Sequence, residues 1–157
     1  MSSNVFLVPY DSEDFEQTVL SEVDLGEFPD HPAEFSQSGP VRFWGAREGS
    51  NNETYFEKMD EGDLLLFYHE GEYIGTGRVG TTFVDNDEWA STTFWNGDTA
   101  TLIYTIEEFT SVSVPKAALN NIFDYSDGYN PQGLIRVADN RVDNNLDAIE
   151  LAVQKYN

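Results

Sequence analysis

Apolar residues come in short bursts along this chain, and most bursts have the length and composition of strands. Val5 to Val8 is a continuous apolar run ended by Pro9, and reads as a strand. Residues 11–24 then place Phe15, Val19 and Val23 at helical spacing behind an acidic first turn, which predicts a helix. Residues 25–40 hold three prolines and two glycines and read mostly as loop. Val41 to Trp44 is a further strand, Gly45 to Asn52 a polar connection, and Glu53 to Met59 a short helix. Leu64 to His69 and Tyr73 to Val79 flank the turn residues Glu70, Gly71 and Glu72 as a hairpin, which Thr82 to Val84 extends.

The second half keeps this rhythm. Residues 85–98 are polar but carry Trp89 and Trp95. Residues 99–114, rich in Thr, Ile, Tyr and Val, supply one or two strands. Residues 115–123 read as a helix with proline in its first turn, 124–133 as loop, and Leu134 to Val137 as a short apolar piece. Residues 143–156 read as a closing helix, with Asp143 as cap and Leu146, Ile149, Val153 and Tyr156 on one face. One domain over residues 1–157 is expected, of α+β class: a curved sheet or small barrel flanked by helices.

Charge changes this picture more than length does. The 157 residues include 29 Asp and Glu against 8 Lys and Arg, for a formal charge of -21. Such a surface repels itself in dilute salt, whereas in molar salt the Debye length falls to about 3 Å. The acidity therefore reads as adaptation to a salt-rich cytoplasm. Disorder is excluded by the 39% apolar and 14% aromatic content, and nucleic-acid mimicry is disfavoured because the charges are dispersed. Without cysteine there is no disulfide framework or zinc-thiolate site. No run approaches the ~20 apolar residues of a membrane span, and the N-terminus has no signal-peptide pattern, so a cytoplasmic protein that avoids membranes is expected.

Catalytic chemistry is not specified. His31 and His69 are far apart and read as surface residues, and no spaced set of metal ligands surrounds them. Asp85–Glu88 lacks the glycine and distal glutamate of an EF-hand loop. Gly75-Thr76-Gly77 is a small-residue stretch where a ligand or another backbone would come close. No catalytic residue, metal or cofactor is assigned, and the chain reads as a binder rather than an enzyme.

Tryptophan placement carries the most information. Trp44 ends a strand and enters GAREGSNN, while Trp89 and Trp95 lie in a polar segment just before a strand. Indoles at loop edges among Gly, Asn, Ser and Thr suit a pocket for a planar ligand, and stacking a base on such a ring is worth about 1–3 kcal/mol. The segments VRFWGAREGSNN, MDEGDLLLFY, GEYIGTGRV and FWNGD, in this order, resemble the EVE and YTH-like branch of the PUA-like superfamily. They are most similar to the modified-DNA-reading domains of McrBC-type restriction systems. The opening VFLVPYDSEDFEQTVLSEV also resembles the start of YTH domains.

The resemblance implies a reader of a modified, methylated base flipped out of DNA or RNA. It implies that Trp44 and Trp95, or else Trp89, sandwich the base. Tyr10 and Asp14 would contact its edge, Gly45 would offer main chain to it, and Asn52 would bond a base or phosphate. Arg42, Arg47, Lys58 and Arg78 are the candidate backbone contacts, sparse beside the basic groove of YTH domains. A monomer, alone or joined to a nuclease or GTPase, is implied. Two rivals remain: an ASCH-like hydrolase of modified nucleosides, which needs a pocket lysine or carboxylate, and a protein-interaction module.

Overall fold

The chain runs β1 (Val5–Pro9), α1 (Asp14–Thr18), β2 (Val23–Asp24), β3 (Pro40–Ala46), α2 (Ser50–Phe56), β4 (Leu64–His69) and β5 (Glu72–Val84). It continues with α3 (Trp89–Phe94), β6 (Leu102–Pro115), α4 (Lys116–Ile122), β7 (Ile135–Arg136), α5 (Asp139–Val142) and α6 (Leu146–Gln154). This computed structural model describes residues 4–10, 13–35, 39–95, 99–142 and 146–156. Among them the strands form one mixed sheet in the order β2-β3-β6-β5-β4-β1-β7. β1 and β4 pair in parallel, and the other ladders are antiparallel.

The two continuous apolar runs, β1 and β4, lie side by side inside the sheet, and both of their faces are covered. Val5, Leu7, Leu64 and Leu66 point into one core, closed by Leu119 of α4 and by Ile149 and Val153 of α6. Phe6, Val8, Leu65 and Phe67 point into a second, with Phe15 of α1 and Phe56 of α2. A third cluster, in which Phe35, Phe43, Phe83, Trp89 and Trp95 pack with aliphatic residues such as Leu25 and Ile103, fills the β3 end.

β6 serves two of these cores by breaking its own alternation. Leu102, Tyr104 and Ile106 face the second core, but Val112 and Val114 face the first. Glu108 adopts a left-handed φ of 54°, and the ladder to β5 slips between Arg78↔Glu107 and Thr76↔Thr110. One extra residue in a strand exchanges its two faces, so even-numbered positions change sides across the bulge. Residues 99–114 are thus a single bent strand.

Other expectations are revised. The helix over 11–24 is only five residues long in the described part; Asp11 and Ser12 lie outside the described residues. Thr18, Val19 and Val23 are β-branched and weak in helices, and Val23 pairs with Val41 in β2. The helix expected over 53–59 starts three residues earlier, where Gly49 and Glu53 bond reciprocally: the Gly49 carbonyl accepts from the Glu53 N–H, and Glu53 Oε2 from the Gly49 N–H. Residues 89–94 form α3, its start held by the Asp85 carboxylate accepting from the Ala90 N–H at 2.9 Å. Asp143 lies outside the described residues. The glycines of β5 serve packing: a Cβ on Gly75 would sit 2.8 Å from the Phe109 ring, and one on Gly77 would sit 2.6 Å from Ile106 Cγ2.

Asp63 ties the entry of β4 to the N-terminus. It is fully buried, and its carboxylate accepts from the Asp60 N–H at 2.8 Å, the Asn4 side-chain amide at 3.0 Å and the Asn4 N–H at 3.3 Å. Truncation would strand three donors. Asp63→Ala is expected to lower stability by about 3 kcal/mol, read from urea unfolding in molar KCl; a loss under 1 kcal/mol would show that the donors find other partners.

Candidate functional site

A cavity of about 260 Å3 opens where the ends of β1 and β3 approach α1. Its wall includes Val8, Pro9 and Tyr10 after β1, Asp14 of α1, and Trp44, Gly45 and Ala46 of β3. Arg47, Asn52, Trp95, Ala100, Tyr104, Gly133 and Leu134 complete it. Small-molecule pockets commonly span about 300–1,000 Å3, so this one suits a single ring system rather than a whole nucleotide.

The aromatic wall is a chain of mutual contacts. Tyr10 is stacked on Phe15 at 3.7 Å and on His69 at 4.5 Å, both nearly parallel. With both faces covered, Tyr10 offers a ligand only its edge and hydroxyl. Phe15 meets Trp44 edge to face at 5.2 Å, and Trp44 meets Trp95 at 5.2 Å and 71°. Parallel plates that sandwich a base need about 7 Å, two carbon contacts of about 3.5 Å. Trp44 and Trp95 therefore form two sides of a corner, which corrects the expected sandwich. Trp44 is half-buried, whereas Trp95 is only 2% exposed.

Local structure explains why the corner holds. Trp44 sits opposite Tyr104 in the β3–β6 ladder, and Gly45 sits opposite Ile103. A Cβ on Gly45 would lie 2.9 Å from Ile103 Cδ1 and 3.2 Å from Trp95 Cη2, so the bare glycine lets the indole close on the strand. The loop after β3 is pinned by Asn52 Nδ2 donating to the Arg47 carbonyl at 2.8 Å and by Thr101 Oγ1 donating to Glu48 at 2.6 Å. Asn52 borders the cavity, but its amide N–H is engaged in holding that loop.

The remaining candidates divide plainly. Tyr10, Asp14, Trp44, Gly45, Asn52 and Trp95 come together around one cavity, with Arg47 at its rim. Trp89 does not line it. This indole is packed among Phe28, Phe35, Phe43 and Phe94, which corrects its placement as an alternative cage wall.

Of the basic residues, Arg42 donates to the Val19 carbonyl and lies over the Phe109 ring. Arg78 is bound by the Gly62 carbonyl, Asp147 and Glu150. Lys58 is exposed away from the cavity. None of these three is among the residues that line the cavity. His69, expected at the surface, instead backs Tyr10, with its Nδ1 2.9 Å from the Tyr10 carbonyl. Tyr104, Ala100, Gly133 and Leu134 were not legible as wall residues, because strand register and the return of the 124–133 loop place them.

Among the described residues, no cluster of three or more His, Asp or Glu could hold a metal, and no helix is long and apolar enough to cross a membrane. No lysine or histidine is among the described residues that line the cavity.

No family model and no curated protein matches the chain. Solved structures do match. The N-terminal domain of Thermococcus gammatolerans McrB bound to m5C DNA is 21% identical, with a TM-score of 0.73 over 96% of this chain and 99% of that one. The YTH domain of Zygosaccharomyces rouxii MRB1, in complex with N6-methyladenosine RNA, is 12% identical, with a TM-score of 0.60 over 99% and 89%. Human THYN1 in complex with 5-methylcytosine-containing DNA is 10% identical, with a TM-score of 0.52 over 98% of each chain. The chain shares their fold, and its α+β class with one mixed sheet flanked by helices is the one expected from its sequence.

Two outcomes follow from this geometry. Gly45→Ala is expected to cost about 1–3 kcal/mol by overpacking and to shift tryptophan emission as Trp95 is displaced; unchanged emission and stability would show that Ile103 alone absorbs the methyl. Burial raises the Tyr104 and Tyr73 phenols, and burial with Glu16, Glu70 and Glu72 raises Tyr10. A raised folded pKa means stability is fully present below the unfolded value of about 10 and is lost above it. Denaturation from pH 8 to 11 should therefore show stability flat and then falling; a curve flat throughout would contradict that burial.

Proposed function

We propose that this chain is a reader of a modified nucleic-acid base, which it holds in the Trp44 cavity. The observation that carries the reading is the half-buried face of Trp44 over a cavity of about 260 Å3. Three proteins that share the fold were solved with methylated DNA or RNA, which supports it.

The base leaves its helix, stacks on Trp44, and meets the edge of Trp95 at the corner. Flipping costs a few kcal/mol, less for a base already weakly paired, and stacking returns about 1–3 kcal/mol. Tyr10 and Asp14 face the base edge, and the Gly45 main chain borders it. A methyl group adds on the order of 0.8 kcal/mol when buried against the aromatic wall. Arg47 at the rim meets a phosphate. With one cation at the mouth, binding depends mainly on stacking and hydrogen bonding, and its salt dependence is shallow.

The reading is of a binder. A hydrolase would need a positioned base or nucleophile; Lys58, the amine nearest in sequence to the tryptophan segments, stands outside the cavity, and the carboxylate that lines it, Asp14, is read here as a contact to the base edge.

The test is titration, in about molar KCl, of oligonucleotides carrying 5-methylcytosine, N6-methyladenine or no modification. One modified oligonucleotide is expected to bind in preference. Trp44→Ala should weaken it by about 5- to 150-fold, the equivalent of one lost stack. A folded protein that binds none of them would sink the reading.

A further inference from the structure

Tyr104 is 1% exposed and packs in the second core, yet it lines the cavity. Its hydroxyl makes no hydrogen bond to any described residue. Its place at the cavity sets Tyr104 apart: the buried Tyr68 hydroxyl donates to Asn130 at 2.8 Å and accepts from the Gly71 N–H at 3.1 Å, while Tyr73, which makes no hydrogen bond to a described residue either, lies in the first core away from the cavity. Buried hydroxyls are nearly always bonded, and the Tyr104 hydroxyl is not among the sealed, unpartnered atoms of the described residues, so it stays open to the cavity. A hydroxyl open to the cavity, with no partner among the described residues, is placed to meet one that arrives from outside.

We propose that the Tyr104 hydroxyl is a specificity-determining group that donates a hydrogen bond to a ring nitrogen or carbonyl on the edge of the bound base. The proposal rests on the base-reading function above. Register supports it: Tyr104 stands directly across from Trp44 in the β3–β6 ladder, so the two side chains share a face as cross-strand neighbours. A ring lying on the Trp44 indole is therefore beside the phenol. Burial alone pushes the phenol's pKa up, so it keeps its proton and remains a donor at neutral pH. The unpartnered Trp95 indole N–H adds nothing, because Trp89, away from the cavity, shares that property.

Such a group discriminates sharply. A site built to bond one edge rejects a base lacking the acceptor far better than an apolar pocket rejects a missing methyl.

The experiment compares wild type, Tyr104→Phe and Trp44→Ala by titration with the three oligonucleotides in molar KCl, alongside thermal unfolding of each. For Tyr104→Phe the expected result is a roughly tenfold weaker affinity for the preferred modified oligonucleotide, with an unchanged or higher melting temperature. Losing binding while keeping or gaining stability is the signature a merely structural tyrosine would not give. Undiminished affinity in Tyr104→Phe, with affinity lost in Trp44→Ala, overturns the proposal and leaves the reader function standing. A fall in stability that accounts for the weaker binding also overturns it. If wild type binds none of the oligonucleotides, the reader function and this proposal fall together.

Discussion

The short antiparallel ladder between β3 and β6 is the contact on which the molecule depends. It joins the β2–β3 edge to the rest of the sheet. It also sets Trp44 opposite Tyr104 and Gly45 opposite Ile103. Because side chains alternate along a strand, slipping this register by one residue would send Trp44 into the Phe43 cluster and Phe43 into the cavity. The glycine would then no longer face the Trp95 indole. One hydrogen-bonding pattern thus fixes both the aromatic core at that end and the shape of the cavity beside it.

The wall of the cavity is rigid for a reason that lies in its second layer. Phe15, fully buried, touches Tyr10, Trp44 and Phe67. His69 covers the other face of Tyr10. Side chains braced on several sides lose little further freedom when a ligand binds, so more of each contact can appear as affinity. The scarcity of cations acts in the same direction. Arg78 ties α6 to β5 through Asp147 and Glu150, and Arg42 is engaged by Val19 and Phe109. In the proposed function, recognition leans on shape and rings.

Much of this was legible in the residues, and what was not has physical causes. The apolar runs at 5–8 and 64–69 were readable as interior strands, since burial on both faces leaves an unambiguous trace. The indole at 44 stood out because a large ring at a strand end among small polar residues has few structural duties. The choice between Trp89 and Trp95 was not legible: both lie on or beside a short helix, and only the folded path of 85–95 shows which ring turns to β3. Tyr104 was invisible as a wall residue because a tyrosine in a β-rich run looks like core, and it is core as well. The helix over 11–24 was overextended because Val23 fits a helical stripe and a strand edge equally well.

The bulge at Glu108 has a consequence for how this sequence can change. Residues 107–111 are largely exposed, and segments of that kind usually tolerate insertion and deletion. Here they do not have that latitude. Deleting Glu108 would remove this bulge and turn Val112 and Val114 outward, away from Leu119 and Phe123. Inserting a second residue would do the same. The segment is free in the identity of its side chains but frozen in its length, and lineages of this fold can drift there only by substitution.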